Sequence, residues 1–303
     1  NKLRGTFLHG LLKHNKEGRI HAHINQIRSD SGGTVTGRFS YNHPNLQQIP
    51  SRGQFAQDIR KIFIPETGEY WLKADYSQQE PRLLTHFARL VDQPGSGEVQ
   101  KAYLEKDLDF HQQTADMAGV QRNLAKTIGL GVMYGMGYHK LARELDMEPQ
   151  EAKTMLQDFH AKVPFMKGML EAVMNRANSK GVIRTLLGRK CRFDLWEPTQ
   201  WGVHKALPLN QAQTEYGMAI KRAYTYKALN RLIQGSAADQ TKKAMVDVYE
   251  EMGIIPLIQV HDELDCSVKS EIEAQKIKKI MENCIELEVP SKVDINLGES
   301  WGA

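Results

Sequence analysis

Residues 69–76, 254–268 and 293–297 read as strands, and apolar and polar positions alternate with a period of two from Leu264 to Val268, the signature of a strand with one buried face. Residues 270–287 instead space Ile272, Ile277, Ile280, Met281 and Ile285 at helical intervals. Helical spacing also runs through 83–90 and through most of 99–177, where breaks fall near 135–138, Pro149 and Pro164. Residues 181–193 read as a hairpin or loop, and 206–253 as a long helix with Pro208 near its start. The leading part is less regular. It offers a short amphipathic helix over 3–15, a strand over 18–27, a flexible break at Ser31-Gly32-Gly33, and an ordered loop over 34–50 that Pro44 and Pro50 keep from being helical. The order of elements predicts an α+β fold: an antiparallel sheet with helices on one face, interrupted by a helical insert.

The strand pattern places acids at strand ends. The 69–76 strand ends in Asp75, and the 254–268 segment folds into a hairpin with His261-Asp262-Glu263 at its tip. If both belong to one sheet, Asp75 and Asp262 converge, and converging carboxylates repel unless cations neutralise them. Mg²⁺ suits such a pair, because it takes one or two carboxylates and fills its other positions with water and phosphate oxygens. The structural alternative is open at this point, since an Asp at a strand end is commonly a turn or cap residue. Ser77 to Glu80 also fits a helix capping box.

A second pattern lies in 122–135. Arg122, Lys126, Leu130 and Tyr134 are four apart, which stacks them along one helix face. Two cations one turn apart suit a run of phosphates. Gly129 and Gly131, costly by about 1 kcal/mol each in a helix interior, allow either close approach of a flat base pair or tight helix packing.

Composition narrows the class. Of 303 residues, 41% are hydrophobic and 25% charged, which is enough for a large core and is not a disordered composition. No apolar run is long enough to span a bilayer. Cys191, Cys266 and Cys284 show no metal-site spacing, and three sparse cysteines fit a reducing, cytoplasmic setting, or a host cytoplasm. Residues 1–62 hold ten Lys and Arg against three Asp and Glu, whereas the remaining 241 hold thirty against thirty-three. That asymmetry suits a phosphate-backbone surface or simply a solvated basic face. The chain begins at Asn1 rather than Met and is expected to be a fragment or processed product.

These motifs together resemble DNA polymerases of the polymerase I family, family A. Asp75 to Arg82 resembles its first palm motif, 122–135 its fingers helix, and 260–263 its second palm motif. Thr36-Gly-Arg38, 44–50, Asp109-Phe-His111 and 234–239 match further segments in the family's order. The resemblance implies a right-hand polymerase fold with 1–34 as a thumb-base remnant, 35–95 and 208–303 as palm, 96–207 as fingers, and the thumb largely absent. It implies template-directed addition of deoxynucleoside triphosphates to a primer 3′-hydroxyl on primer–template DNA, without a proofreading exonuclease in this chain. A monomer with poor processivity is expected, and an upstream thumb and exonuclease region of a longer chain.

By the same resemblance, Asp75, Asp262 and the Tyr76 carbonyl would hold two Mg²⁺ ions, with Glu263 a nearby carboxylate. Arg122, Lys126 and His111 would take the triphosphate, and Lys126 would donate a proton to the leaving pyrophosphate. Gln78, Glu80, Leu130 and Tyr134 would line the nucleotide, with Glu80 beside Tyr134 excluding a ribose 2′-hydroxyl. Arg38, Asn45, Gln47, Asn230, Gln234 and His261 would contact the duplex. Two residues depart from the family pattern. Leu130 stands where Phe or Tyr is usual, and Pro81 stands where Leu is usual, which predicts a helix start later than Ser77. Gln78-Gln79-Glu80-Pro81 resembles phage versions. A single-subunit RNA polymerase and an inactive nucleic-acid-binding module are the competing readings, and Glu80 argues against the first.

Overall fold

The computed structural model describes residues 5, 7, 9–30, 32–106, 108–200, 202 and 204–303. Most of the start of the expected 3–15 helix, and Ser31 of the expected break, lie outside the described residues. What is described there is a single turn, Gly10–Leu12.

The chain divides into two compact units. The first comprises Asn1–Gln79, Ala237–Glu286 and Ser291–Ala303. Its centre is a four-stranded antiparallel sheet in the order Ile258–Val260, Glu263–Val268, Tyr70–Tyr76, Val293–Gly298. The period of two sorts the side chains. Leu72, Ala74, Tyr76, Leu264, Cys266, Val268 and Val293 face one way and are buried with Ala244, Val248, Ala274, Ile277, Ile280 and Met281. The last four belong to the Glu271–Asn283 helix, whose N-cap Ser270 accepts from Glu273 N–H. Ile272, expected on its apolar face, points to solvent instead. Each large side chain in this layer is worth about 1.5–3 kcal/mol of burial.

The opposite face carries Trp71, Lys73 and Asp75 on the central strand. At the Trp71 end it is covered by a second cluster that includes Tyr41, Leu46, Ile49, Ile59, Ile258 and Trp301. At the Asp75 end it stays open to solvent. Much of that cover comes from the expected 34–50 loop, which holds a strand, Ser40–Asn42, and a 3₁₀ turn, Leu46–Gln48. The expected 18–27 strand is two short strands, Arg19–Ile20 and His23–Asn25.

The second unit, Glu80–Ser236 with Leu287–Pro290, is mainly helical. Helices span Ser96–Glu105, Phe110–Ala118, Arg122–Met133, Tyr138–Leu145, Pro149–Lys162 and Pro164–Lys180. Pro149 and Pro164 each open a helix, where a missing N–H costs nothing. The expected hairpin forms from Val182–Arg184 and Lys190–Arg192. The continuous helix expected from 206 does not form. Leu209–Tyr216 stops at Gly217, whose φ of 73° breaks the helix. The strand Ile220–Arg222 follows, pairing with Leu195–Pro198, and the long helix begins only at Ala228. Among the described residues no helix is long and apolar enough to cross a membrane, and the three cysteines are free thiols.

Candidate active site

Strand register brings the expected acids together. Asp75 lies directly across from Glu263 on one neighbouring strand and from Asp294 on the other. Cross-strand partners share a face, so three carboxylates sit side by side at the open end of the sheet. Asp262 precedes Glu263, and its carbonyl accepts from Tyr76 N–H at 3.2 Å, which ties the hairpin tip to the strand end. Partial withdrawal from water against the flanking strands, then the charges of Asp262, Glu263 and Asp294, pushes the Asp75 carboxyl up to about 7. Asp294 is not among the residues that sequence motifs single out, although the alternation of 293–297 puts it on the polar face.

A site under such like-charge strain has a deficit of positive charge. Among the described residues, no three His, Cys, Asp or Glu side chains form a ready metal cage. The donor set is therefore the carboxylates around Asp75 with neighbouring main-chain oxygens. That fits Mg²⁺, which leaves much of its coordination to water and phosphate, better than an ion needing an all-protein cage. The Tyr76 side chain is committed to the core, where its hydroxyl donates to Met281 O at 2.7 Å, so only its main chain faces the acids.

Behind the acids, Trp301 Nε1 donates to Glu263 Oε1 at 3.1 Å. Trp71 Nε1 donates to Asp265 Oδ1 at 2.7 Å. Neither indole nor Asp265 is marked by sequence patterning.

On the same unit, a cleft is lined by Arg38, Phe39, Gln47, Thr241, Lys242, Gln259 and His261. Three of the expected duplex contacts, Arg38, Gln47 and His261, thus meet. His261 adopts φ 58°, and its carbonyl accepts from Gln259 Nε2. Asn45 is exposed and caps the 3₁₀ turn by accepting from Gln47 N–H at 3.1 Å. Asn230 and Gln234 lie four apart and half-buried on the Ala228–Met252 helix, in the part that belongs to the second unit.

In the second unit the Arg122–Met133 helix carries Arg122, Lys126 and Leu130, with Tyr134 at its C-cap. Asp109 serves two partners. Its Oδ1 caps the Phe110–Ala118 helix by accepting from His111 and Gln112 N–H, and its Oδ2 takes Arg122 Nε at 2.7 Å. Asp109 is held below the usual carboxylate range despite the opposing effect of partial burial, because the Arg122 bond and the two main-chain donors favour its charge. His111 lies beside this pair. Burial, then the Lys126 charge, lowers its pKa, so the free protein carries it neutral rather than as the cation expected beside a triphosphate. Its buried Nδ1 has no partner. Lys126 is exposed.

Tyr134 Oη donates to Glu80 Oε2 at 2.9 Å. Glu80 lies in the first turn of the Gln79–Leu90 helix, next to Pro81. The helix begins two residues after Ser77, as Pro81 suggests. Just before it, Gln78 takes φ 54°, and Ser77 N–H donates to Lys292 O. Gly131 packs against a flexible side chain, that of Met136. A Cβ there would lie 1.9 Å from Met136 Cε. Gly129 has ordinary clearance, with a Cβ 3.6 Å from Met166 Cε.

The family model described as DNA polymerase family A matches residues 1–303. A DNA-directed DNA polymerase of Pseudomonas phage M6 is 39% identical over 351 aligned positions, covering 100% of this chain and 50% of that protein. A thermostable DNA polymerase I of Thermus aquaticus is 34% identical, covering 99% of this chain and 35% of that protein. A solved structure described as the POL domain of Pol1 from M. smegmatis in complex with DNA primer-template and dNTP superposes with a TM-score of 0.78 at 30% identity. It covers 97% of this chain and 50% of that one. The chain therefore spans about half, or less, of the length of the curated relatives it matches. With its entire length matched by one family model, the chain belongs to DNA polymerase family A.

Proposed function

We propose that this chain is the catalytic portion of a template-directed DNA polymerase that extends a primer 3′-hydroxyl with deoxynucleoside triphosphates. The observation that carries the reading is Asp75, flanked by Glu263 and Asp294 and crowded by Asp262, with its carboxyl pushed up to about 7. A cluster of acids that resists full ionisation in the free protein is one that divalent cations and a phosphate-bearing substrate would complete. Residues 35–95 and 208–303 are read as palm and 96–207 as fingers, with primer–template DNA as partner.

In this reading Asp75, Asp262 and the Tyr76 carbonyl hold two Mg²⁺ ions, and Glu263 orders the surroundings. Bound there, the ions would sharpen the primer hydroxyl as a nucleophile and neutralise the triphosphate. The hydroxyl oxygen bonds to the α-phosphorus, the bond to pyrophosphate breaks, and the hydroxyl proton passes to water. Lys126, Arg122 and His111 take the leaving phosphates, and Lys126 gives pyrophosphate a proton. Glu80, held by Tyr134, fills the space of a 2′-hydroxyl. Arg38, Gln47 and His261 line a groove for the duplex minor edge, with Asn45, Asn230 and Gln234 as further contacts. Minor-groove acceptors are common to all base pairs, so such contacts check pairing without reading sequence.

Primer extension with Mg²⁺ and either dNTPs or rNTPs tests this, with Asp75→Ala and Asp262→Ala alongside wild type. Loss of extension in both variants, and preference for dNTPs, is expected. Wild-type rates in either variant would overturn the reading, and preference for rNTPs would favour an RNA polymerase.

A further inference from the structure

Two buried indoles stand behind the acids without a part in the chemistry above. Trp301 is 1% exposed and Trp71 2%. They stack with ring centroids 6.1 Å apart and planes 24° apart. Each gives its N–H to a different acid of the same strand, Trp301 to Glu263 and Trp71 to Asp265. Those acids are two residues apart and share a face. Glu263 lies across from Asp75, and Asp265 across from Lys73.

The Trp301 ring cannot swing away. Phe63 meets it edge-on with centroids 5.5 Å apart, and the Arg60 guanidinium lies 4.1 Å from its centroid. Its main-chain N–H donates to Phe63 O at 2.9 Å. Gly302 follows, where a Cβ would come 2.5 Å from Gln57 O and 2.7 Å from Lys61 N. A donor this constrained aims one hydrogen bond at one place. Asp265 backs it from the other side. It is fully buried, and its Oδ2 has no hydrogen-bond partner. Burial, then the Glu263 charge and a side-chain bond to Glu263, pushes its carboxyl well above the usual range, against the pull of the Trp71 bond and Arg60.

We propose that Trp301 is a positioning residue that fixes the Glu263 carboxylate beside Asp75, with the Trp71–Asp265 bond as its backing. The inference rests on the reading of Glu263 as part of the polymerase site.

Trp301→Phe keeps an aromatic ring in the core and removes the pyrrole part of the indole with its N–H. Glu263→Gln removes the charge of the acceptor. The measurements are melting temperature, single-turnover primer extension, and the ¹⁵N–¹H signals of the four tryptophan indoles in metal-free protein. Trp301→Phe is expected to melt below wild type because it leaves a gap in the core, yet at a temperature where both are folded to extend about tenfold more slowly, the usual penalty for losing a group that orients a site carboxylate. The double variant should be no slower than the worse single one, because both changes break one contact. An indole signal absent in Trp301→Phe should move in Glu263→Gln. Slow extension by Glu263→Gln with wild-type rates in Trp301→Phe overturns the positioning role and leaves the polymerase site standing. Wild-type rates in Glu263→Gln remove the part given to Glu263 and the inference with it. If Trp301→Phe does not fold, Glu263→Gln decides: four unmoved indole signals overturn the inference.

Discussion

Asp109 holds the Phe110–Ala118 helix with one carboxylate oxygen and Arg122 with the other. One side chain therefore supplies both a cap and a clamp, and the two jobs separate by mutation. Asp109→Ala loses the cap and should cost about 1 kcal/mol of stability. Asp109→Asn keeps an acceptor for the cap but not the charge for Arg122. It should melt close to wild type and show a raised KM for nucleotide. Equal KM values in Asp109→Asn and wild type would show that the Arg122 pairing is idle in binding.

Glu80 and Tyr134 give a second prediction. Both are accessible, so Glu80→Ala should fold. It opens the space beside the Tyr134 hydroxyl and should raise ribonucleotide use relative to deoxynucleotide use by tenfold or more, within the roughly 10–200-fold that one small group commands in a pocket. Competition between dNTP and rNTP in primer extension reads this directly. An unchanged ratio removes the gate from the mechanism.

The Asp75 carboxyl predicts a pH effect on the metal-free protein. Its folded pKa of about 7 lies above the unfolded value of 3.8. The folded state then binds more protons than the unfolded one between those values, so its contribution to stability is full at low pH and is lost as pH rises through 7. In EDTA, wild type should melt lower at pH 8 than at pH 6, and Asp75→Asn should lose part of that slope. Adding Mg²⁺ should recover melting temperature at pH 8 in wild type more than in Asp75→Asn. A variant with the wild-type slope would place the strain elsewhere.

Leu130 carries a prediction from its departure from the family pattern. Leu130→Phe puts an aromatic ring on the nucleotide side of the Arg122–Met133 helix. It should change discrimination between deoxy and 2′,3′-dideoxy substrates in steady-state incorporation. Identical selectivity in the two proteins would separate this position from the sugar.

What is legible in the sequence follows from periodicity. The 69–76 and 254–268 segments read as strands with Asp75 at one end and Asp262 at a hairpin tip, and only the pairing of the two strands, which the pattern does not give, brings them together. Asp294 escapes notice because its strand is short and no motif marks it. Asp265 and Trp301 lie beyond sequence reading. A polar residue inside an alternating strand looks solvent-exposed unless the cover over it is known, and that cover comes from 41–59 and 301, far away in the chain. The 206–222 region misleads for a different reason. Its composition suits a helix, and Gly217 and the pairing with Leu195–Pro198 turn the chain back.

The pleat of the Tyr70–Tyr76 strand has a consequence for how this protein can change. Neighbouring positions point to opposite sides, so inserting one residue between Trp71 and Asp75 would turn Asp75 toward Ile277 and Met281 and lift Ala74 into the acids' place. Length variation in this strand is therefore confined to steps of two, whereas the turns on either side are free to drift by single residues.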